Sequence, residues 1–259
     1  MAFPFGRWVM IERLPEEPIV AFVYLDQHAG PSAKGGLESE AQLATMPSRT
    51  IRLSAQTQVR ELTEDEVRAR KLPAAPSWLA SFGPQPAADA PWRNDPYLRG
   101  KFHAQFPDDI QVMVHDGDPR RMRRGPELCW VRVQRIDRAA TRPVTAGHGI
   151  ERSHFVYIGE LLNTPHTLQS VKKGDRIKLL SVAGMPNALH VTDDYLRERL
   201  EWQITPCDKC GATECFDPPS VMATVRFPDA PKDSVIQAFT SFCANPNCSG
   251  QQQLKRLDA

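Results

Sequence analysis

Two pairs of cysteines do most to limit what this chain can fold into. Cys207 and Cys210 lie in "PCDKCGATECF", and Cys243 and Cys248 lie in "SFCANPNCSG". The first pair is C-x2-C followed by Gly211, and the second is C-x4-C around "ANPN". In each short loop the backbone amides fold back around the sulfurs, so two thiolates converge, and two such loops supply the four soft donors that tetrahedral zinc prefers. The set Cys207, Cys210, Cys243 and Cys248 is therefore expected to bind zinc, with Cys215 a rival for Cys207 or Cys210. Four thiolates leave no open position for water or substrate, so the ion is expected to be structural. A tail of some 55 residues has too little core to fold securely alone, and zinc supplies the missing stability. Between the pairs, "SVMATVRF" and "VIQAFTSF" alternate as strands around the turn "PDAPKDS", which predicts two knuckles joined by a hairpin, a zinc ribbon.

The competing uses of cysteine fit less well. Three disulfides from six cysteines would suit an exported chain. The N-terminal stretch "MAFPFGRWVMIERLPEEP" is interrupted by Arg7, Glu12 and Arg13 and shows no signal-peptide core, and "PIVAFVYL" is too short to cross a bilayer. A reducing cytoplasm, where paired cysteines bind metal, is the expected setting, with no membrane partner. A redox use of "CDKC" needs a strand-to-helix setting, whereas Gly211 and a hairpin follow here. Cys129 falls on the inward face of a strand and reads as a small buried hydrophobe.

The rest of the chain separates by pattern. The 23 prolines exceed the usual share of about 5% and favour short elements joined by turns. Residues 1–83 read as an N-terminal α+β region. "RWVMIERL", "IVAFVYL" and "RTIRLS" are strands there, and "HAGPSAKGGLESE" reads as a flexible hairpin loop. "LTEDEVRARKL" opens a helix with a capping box between Thr63 and Glu66 and a Leu62–Val67 staple, stopped by Pro73. "PSWLASF" follows as a second short helix. Residues 84–95 form a proline- and alanine-rich linker. Residues 96–202 turn to a period of two: "DIQVMVHD", "ELCWVRVQRI", "HFVYIGELL" and "RIKLLSV" suggest a small bent sheet or half-open barrel, closed by a helix at "VTDDYLRERLEW" capped by Thr192. Residues 203–259 carry the zinc ribbon. The fold class is α+β, mainly antiparallel sheet.

"PELCWVRVQRI", "GELLNTP" (Gly159 to Pro165) and "KKGDRI" together resemble an uncharacterised family of small bacterial sheet domains of unknown function, over residues 96–200. The insertion "DRAATRPVTAGHGIERS" departs from that pattern. The resemblance implies a bacterial origin, a non-catalytic domain and a kinship with proteins found near toxin and immunity genes. It carries no catalytic residue across.

Net charge is +1, so no global field steers the chain to nucleic acid. Residues 203–259 hold five Lys or Arg (209, 226, 232, 255, 256) against six Asp or Glu (208, 214, 217, 229, 233, 258), and thiolates bound to zinc add further negative charge. The densest positive run is "DPRRMRRGPE". Its Arg120, Arg121, Arg123 and Arg124 suit an acidic protein surface better than nucleic acid, because no aromatic residues interleave with them. His115, Asp116 and Asp118 in "VHDGDP" read as a polar turn, and His28, His103, His148, His154, His166 and His190 as scattered, mostly loop, residues. No phosphate loop, Gly-x-Ser-x-Gly elbow or His-Glu-x-x-His occurs. The sequence leads to a non-enzymatic cytoplasmic protein that binds another protein, as an immunity protein or adaptor, with structural zinc. A nucleic-acid-associated protein ranks second, and a hydrolase with a dispersed site third. Oligomeric state is not set by these patterns.

Overall fold

The longest apolar run, "IVAFVYL", shows no alternation, and the reason is that both of its faces are covered. In the computed structural model it lies in β2 (Glu16–Asp26), at the centre of an antiparallel sheet ordered β4-β3-β2-β1-β5. The neighbours are β1 (Trp8–Arg13), β3 (Gly30–Leu37), β4 (Arg49–Arg52) and β5 (Val59–Glu61). Ile19, Ala21, Val23 and Leu25 join one buried cluster with Val9, Ile11 and Leu53. Val20 and Phe22 join another with Trp8, Met10 and Leu62 on the opposite face, against Trp78 and Leu79. The structure describes the chain except residues 1–2, 14, 41–47, 55, 87–89, 97, 118–121, 123, 139–141, 147–149, 183–184, 232–233 and 258–259, and describes only the backbone of 142–146 and 150–154.

Three readings of this N-terminal unit change. "HAGPSAKGGLESE" is not a flexible loop, because β3 pairs with β2 from Asp26↔Gly30 to Ile19↔Leu37. Its few large side chains hide the strand from a hydrophobicity pattern, and close backbone approach replaces them. A Cβ on Gly35 would stand 1.9 Å from the Val20 carbonyl oxygen. Helix α1 (Glu64–Ala69) does begin with the Thr63/Glu66 capping box, but it stops before Pro73, where Lys71 adopts φ 53°. Finally, the short helix at Ser77–Phe82 is a 3-10 helix, whose Trp78 packs edge-on to Tyr24 and to Phe82, while Phe82 lies tilted against Tyr24.

By the density of its contacts the chain divides into two units, residues 1–93 with 103–107, and 94–102 with 108–259. In the second unit the strands are β6 (Asp109–Val114), β7 (Glu127–Ile136), β10 (Val156–Leu161), β11 (Arg176–Leu180) and β12 (Ala188–Val191). They form a closed barrel ordered β10-β11-β12-β6-β7 rather than a half-open one. The closing stave is β12, which pairs parallel to β6 where every other barrel pair is antiparallel. At four residues, all buried, it shows no alternation to read. Cys129, Val131 and Val133 face the interior as their spacing predicts. The insertion carries a separate hairpin of β8 (Arg142–Ala146) and β9 (Ile150–His154).

Helix α2 (Asp193–Glu198) follows, its Thr192 hydroxyl accepting the Tyr195 amide, and a 3-10 turn leads into β13 (Trp202–Ile204). The segment "SVMATVRF" is not a strand. It is helix α3 (Pro219–Arg226), with Pro219 preset at the first turn and Ala223 buried. The Glu198 carboxylate, at the end of α2, accepts both the Ser220 hydroxyl and its amide, a cap no local pattern announces. With that segment helical, no hairpin joins the two cysteine loops. Instead β14 (Ala238–Phe242) and β13 both flank β15 (Gln251–Arg256) in a three-stranded antiparallel sheet. One apolar cluster contains Met113, Leu180 and Val191 of the barrel together with Trp202, Phe239, Leu254 and the cysteine loops. No helix among the described residues is long and apolar enough to cross a membrane.

Candidate metal centre

Two loops, each built by its own backbone, bring the four cysteines together. In the first, the Cys207 amide bonds to the Ala212 carbonyl at 2.8 Å and the Gly211 amide returns to the Cys207 carbonyl at 3.0 Å. In the second, the Asn245 and Gly250 amides point at the Cys243 and Cys248 sulfurs, each at 3.3 Å. The loops are then tied to each other. Cys243 N bonds to the Gly250 carbonyl, Asp208 Oδ1 accepts the Gln251 amide at 2.8 Å, and Lys209 Nζ donates to Ser249 Oγ at 2.6 Å. Gly250 is forced by this contact, since a Cβ there would lie 2.3 Å from Cys207 Sγ and 2.5 Å from Asp208 Oδ1.

All four sulfurs lie within 4.8 Å of one another, with Cys210 and Cys243 at 3.4 Å and Cys207 and Cys248 at 3.8 Å. Among the described residues this is the one group of three or more donors gathered so closely. Cys207 and Cys243 are buried, while Cys210 and Cys248 remain partly open. Burial opposes ionisation of Cys207, but the amides of Cys210 and Lys209 and the thiols of Cys243 and Cys248 together outweigh it and hold that thiol below the ordinary cysteine range. Burial pushes Cys243 well above the same range. The group thus has one sulfur held ready to ionise, Cys207, while Cys243 and Cys248 are shifted the other way. A divalent ion at its centre makes all four thiolates and releases protons as it binds.

Cys215 is not part of this group. It is fully enclosed, its thiol donates to the Asp217 carbonyl at 3.4 Å, and burial pushes its ionisation far up. Beside it lies a feature that the residue pattern did not announce. Arg199 Nε donates to Glu214 at 2.9 Å and its Nη1 to the Trp202 carbonyl at 2.8 Å, while the Tyr195 hydroxyl donates to the same Glu214. With Glu214 1% exposed and Arg199 9% exposed, this is a buried ion pair that ties the end of α2 to the segment after the first cysteine loop. Its partners are 15 residues apart, and each reads as an ordinary surface charge by itself.

The arginine run is only partly visible. Arg120, Arg121 and Arg123, with Asp118, lie outside the described residues, and Arg124 forms an ion pair with Asp116 at 3.1 Å. Asp116 also accepts the amides of Gln169 and Ser170. His148 is likewise outside the described residues. His190 is not a loop residue: it sits in β12, 8% exposed, with its ring 5.5 Å from that of His115. His115 in turn packs 4.6 Å from Phe216, so the turn read as merely polar carries a buried imidazole.

The chain matches no protein-family model, no curated protein and no solved structure.

Proposed function

We propose that Cys207, Cys210, Cys243 and Cys248 hold a structural zinc ion in a ribbon-like C-terminal module. We further propose that the chain is a non-enzymatic, cytoplasmic bacterial protein that acts by binding another protein, as an immunity protein or adaptor does. The convergence of four thiols on one point, with protein donors at every corner, carries the metal part of this reading. The amides aimed at the sulfurs fit thiolates better than thiols, because they stabilise negative charge. Zinc bound there contributes folding energy and orients the two loops. The resemblance of residues 96–200 to small bacterial sheet domains supports the binding part. The balance of charge in residues 203–259 favours a protein over nucleic acid as the partner.

Mass measurement of the intact chain under native conditions tests the metal. A single zinc ion per chain is expected, and its replacement by cobalt should give the sulfur-to-metal absorption of a thiolate site. A chain that carries no zinc and folds indifferently to chelators overturns the assignment. For the partner, the intact chain is used as bait in a lysate of its native host. One stoichiometric protein is expected to be retained, whereas salt-dependent retention of nucleic acid alone would replace the protein partner with nucleic acid.

A further inference from the structure

The two cysteine loops meet sulfur to sulfur in a particular way. Two close contacts, Cys210 with Cys243 at 3.4 Å and Cys207 with Cys248 at 3.8 Å, both run from one loop to the other, and between them they use each sulfur once. Each contact also joins a partly open cysteine, Cys210 or Cys248, to a buried one, Cys243 or Cys207. That is the division found in redox pairs, where the accessible sulfur meets the oxidant and its sheltered neighbour resolves the product. Access is provided at the second loop. A cleft of about 280 Å³ opens between it and α3, walled by Met222, Phe242, Ala244 and Pro246, with Cys243 and Cys248 among its lining.

We propose that the cluster is a reversible redox switch, in which hydrogen peroxide converts the four thiolates into the cross-loop disulfides Cys210–Cys243 and Cys207–Cys248 and the zinc ion leaves. This regulation rests on the zinc reading above. In each pair the open thiolate attacks one peroxide oxygen, the O–O bond breaks, and the other oxygen departs as hydroxide and is protonated to water. The buried thiolate then attacks the sulfenic sulfur, forms the S–S bond and expels the second oxygen, again as water. Two electrons pass from each pair to one peroxide, so each zinc ion released consumes two peroxides and four protons. Both pairs are short of a bond by less than about 2 Å. The ties Asp208–Gln251 and Lys209–Ser249, with the Cys243 amide on the Gly250 carbonyl, involve no metal and keep the sulfurs opposed when the ion goes. Bridges across the loops also span 33 and 41 residues, against three and five within them, and so restrict the unfolded chain more. Oxidation therefore exchanges one pin for another, and the module stays closed in both states.

Titration of the intact, zinc-loaded chain with hydrogen peroxide at neutral pH tests it, with zinc release followed by a chromogenic chelator. Remaining thiols are then blocked with N-ethylmaleimide and the bridges mapped. Trypsin cuts after Lys209 and so parts Cys207 from Cys210, and electron-transfer fragmentation parts Cys243 from Cys248. Release is expected to be complete at two peroxides per chain, with the two cross-loop bridges formed and the enclosed Cys129 and Cys215 still thiols. Dithiothreitol with added zinc should restore the starting state. Hydrogen exchange at the amides of Cys243, Cys248 and Gly250 should stay slow in the oxidised chain and quicken in the reduced, chelated one. Bridges within the loops, oxidation to sulfinic or sulfonic acid, zinc retained under a large excess of peroxide, or lost protection on oxidation each overturn the proposal. Native mass measured before any peroxide is added shows separately whether zinc is bound. A chain isolated without it defeats the zinc reading, and the bridge map of the reduced chain then decides the pairing.

Discussion

The barrel and the cysteine module belong to the same compact unit, but they are held together by different means. The barrel strands return their hydrogen bonds to one another around a closed ring, and Ile110, Val112, Val131 and Leu179 are completely enclosed. The module has strands of three, six and five residues, and its large apolar groups, Trp202, Phe239 and Leu254, pack into a cluster shared with barrel residues. Where the two loops meet, four thiols gather and short polar ties join the loops, and a buried arginine–glutamate pair ties α2 to the segment after the first of them. Closure lets a small sheet stabilise itself. A module with open edges and little core of its own has to be pinned.

The largest effect should come from removing the pin. Structural zinc in small modules contributes on the order of 10 kcal/mol or more. Chelation, or the change Cys210→Ser with Cys243→Ser, is expected to strip hydrogen-exchange protection from the amides of Cys243, Cys248 and Gly250. The amides of Val131 and Leu179 should stay protected. Simultaneous loss in both regions would show a single cooperative unit and erase the distinction drawn here. Next in size is the ion pair. Arg199→Met leaves Glu214 buried without its partner, which should cost about 3–5 kcal/mol, whereas Arg199→Met with Glu214→Leu should recover much of that loss. Denaturant unfolding of the singles and the double separates the pairing from the packing.

How far each region could be read from its residues follows the same division. Sulfur spacing is a local signal, so the four converging cysteines were legible, as were the Thr63 and Thr192 caps and the inward row Cys129, Val131 and Val133. What was not legible depends on residues distant in sequence. β3 is buried through glycine contacts with β2, β12 through pairing on both of its edges, and α3 begins under a carboxylate from α2. In "SVMATVRF" the alternation favours a strand, and only Pro219 at the first turn speaks for the helix. Arg199, Glu214 and His190 were hidden for another reason. A buried charge or imidazole reads like a surface one until its partner is placed beside it.

Two substitutions then sharpen the contrast at lower cost. Leu179→Ala removes a fully enclosed side chain from the barrel and should destabilise it by about 3 kcal/mol, equally with and without bound zinc. A loss that vanishes on chelation would mean that the barrel draws its stability from the module. Gly250→Ala acts in the opposite region. Its new methyl group crowds Cys207 Sγ, so zinc affinity measured by chelator competition should fall roughly tenfold, with little change in the barrel. Unaltered affinity would show that the loops can separate without disturbing the sulfurs.

The smallest expected effect is acid sensitivity on the barrel side. Burial raises the Glu127 carboxyl, but the Thr167 hydroxyl and the amides of His166, Thr167 and Leu168 overcome that and hold it at about 2. A carboxyl lower in the folded than in the unfolded chain lends stability that is complete above its unfolded value and lost as pH falls through the folded one. The loss should therefore run from about 4.5 down to about 2. Because the carboxylate is only partly buried, solvent screening should keep it below about 1 kcal/mol. Zinc thiolates protonate at the upper end of this range, so the measurement belongs to the metal-free chain, with exchange at the Thr167 amide as the probe. Glu127→Gln should flatten that step and leave the acid release of zinc unchanged. If instead the substitution shifts the pH at which zinc leaves, the barrel loop and the cysteine loops are coupled, and closure alone does not account for the barrel.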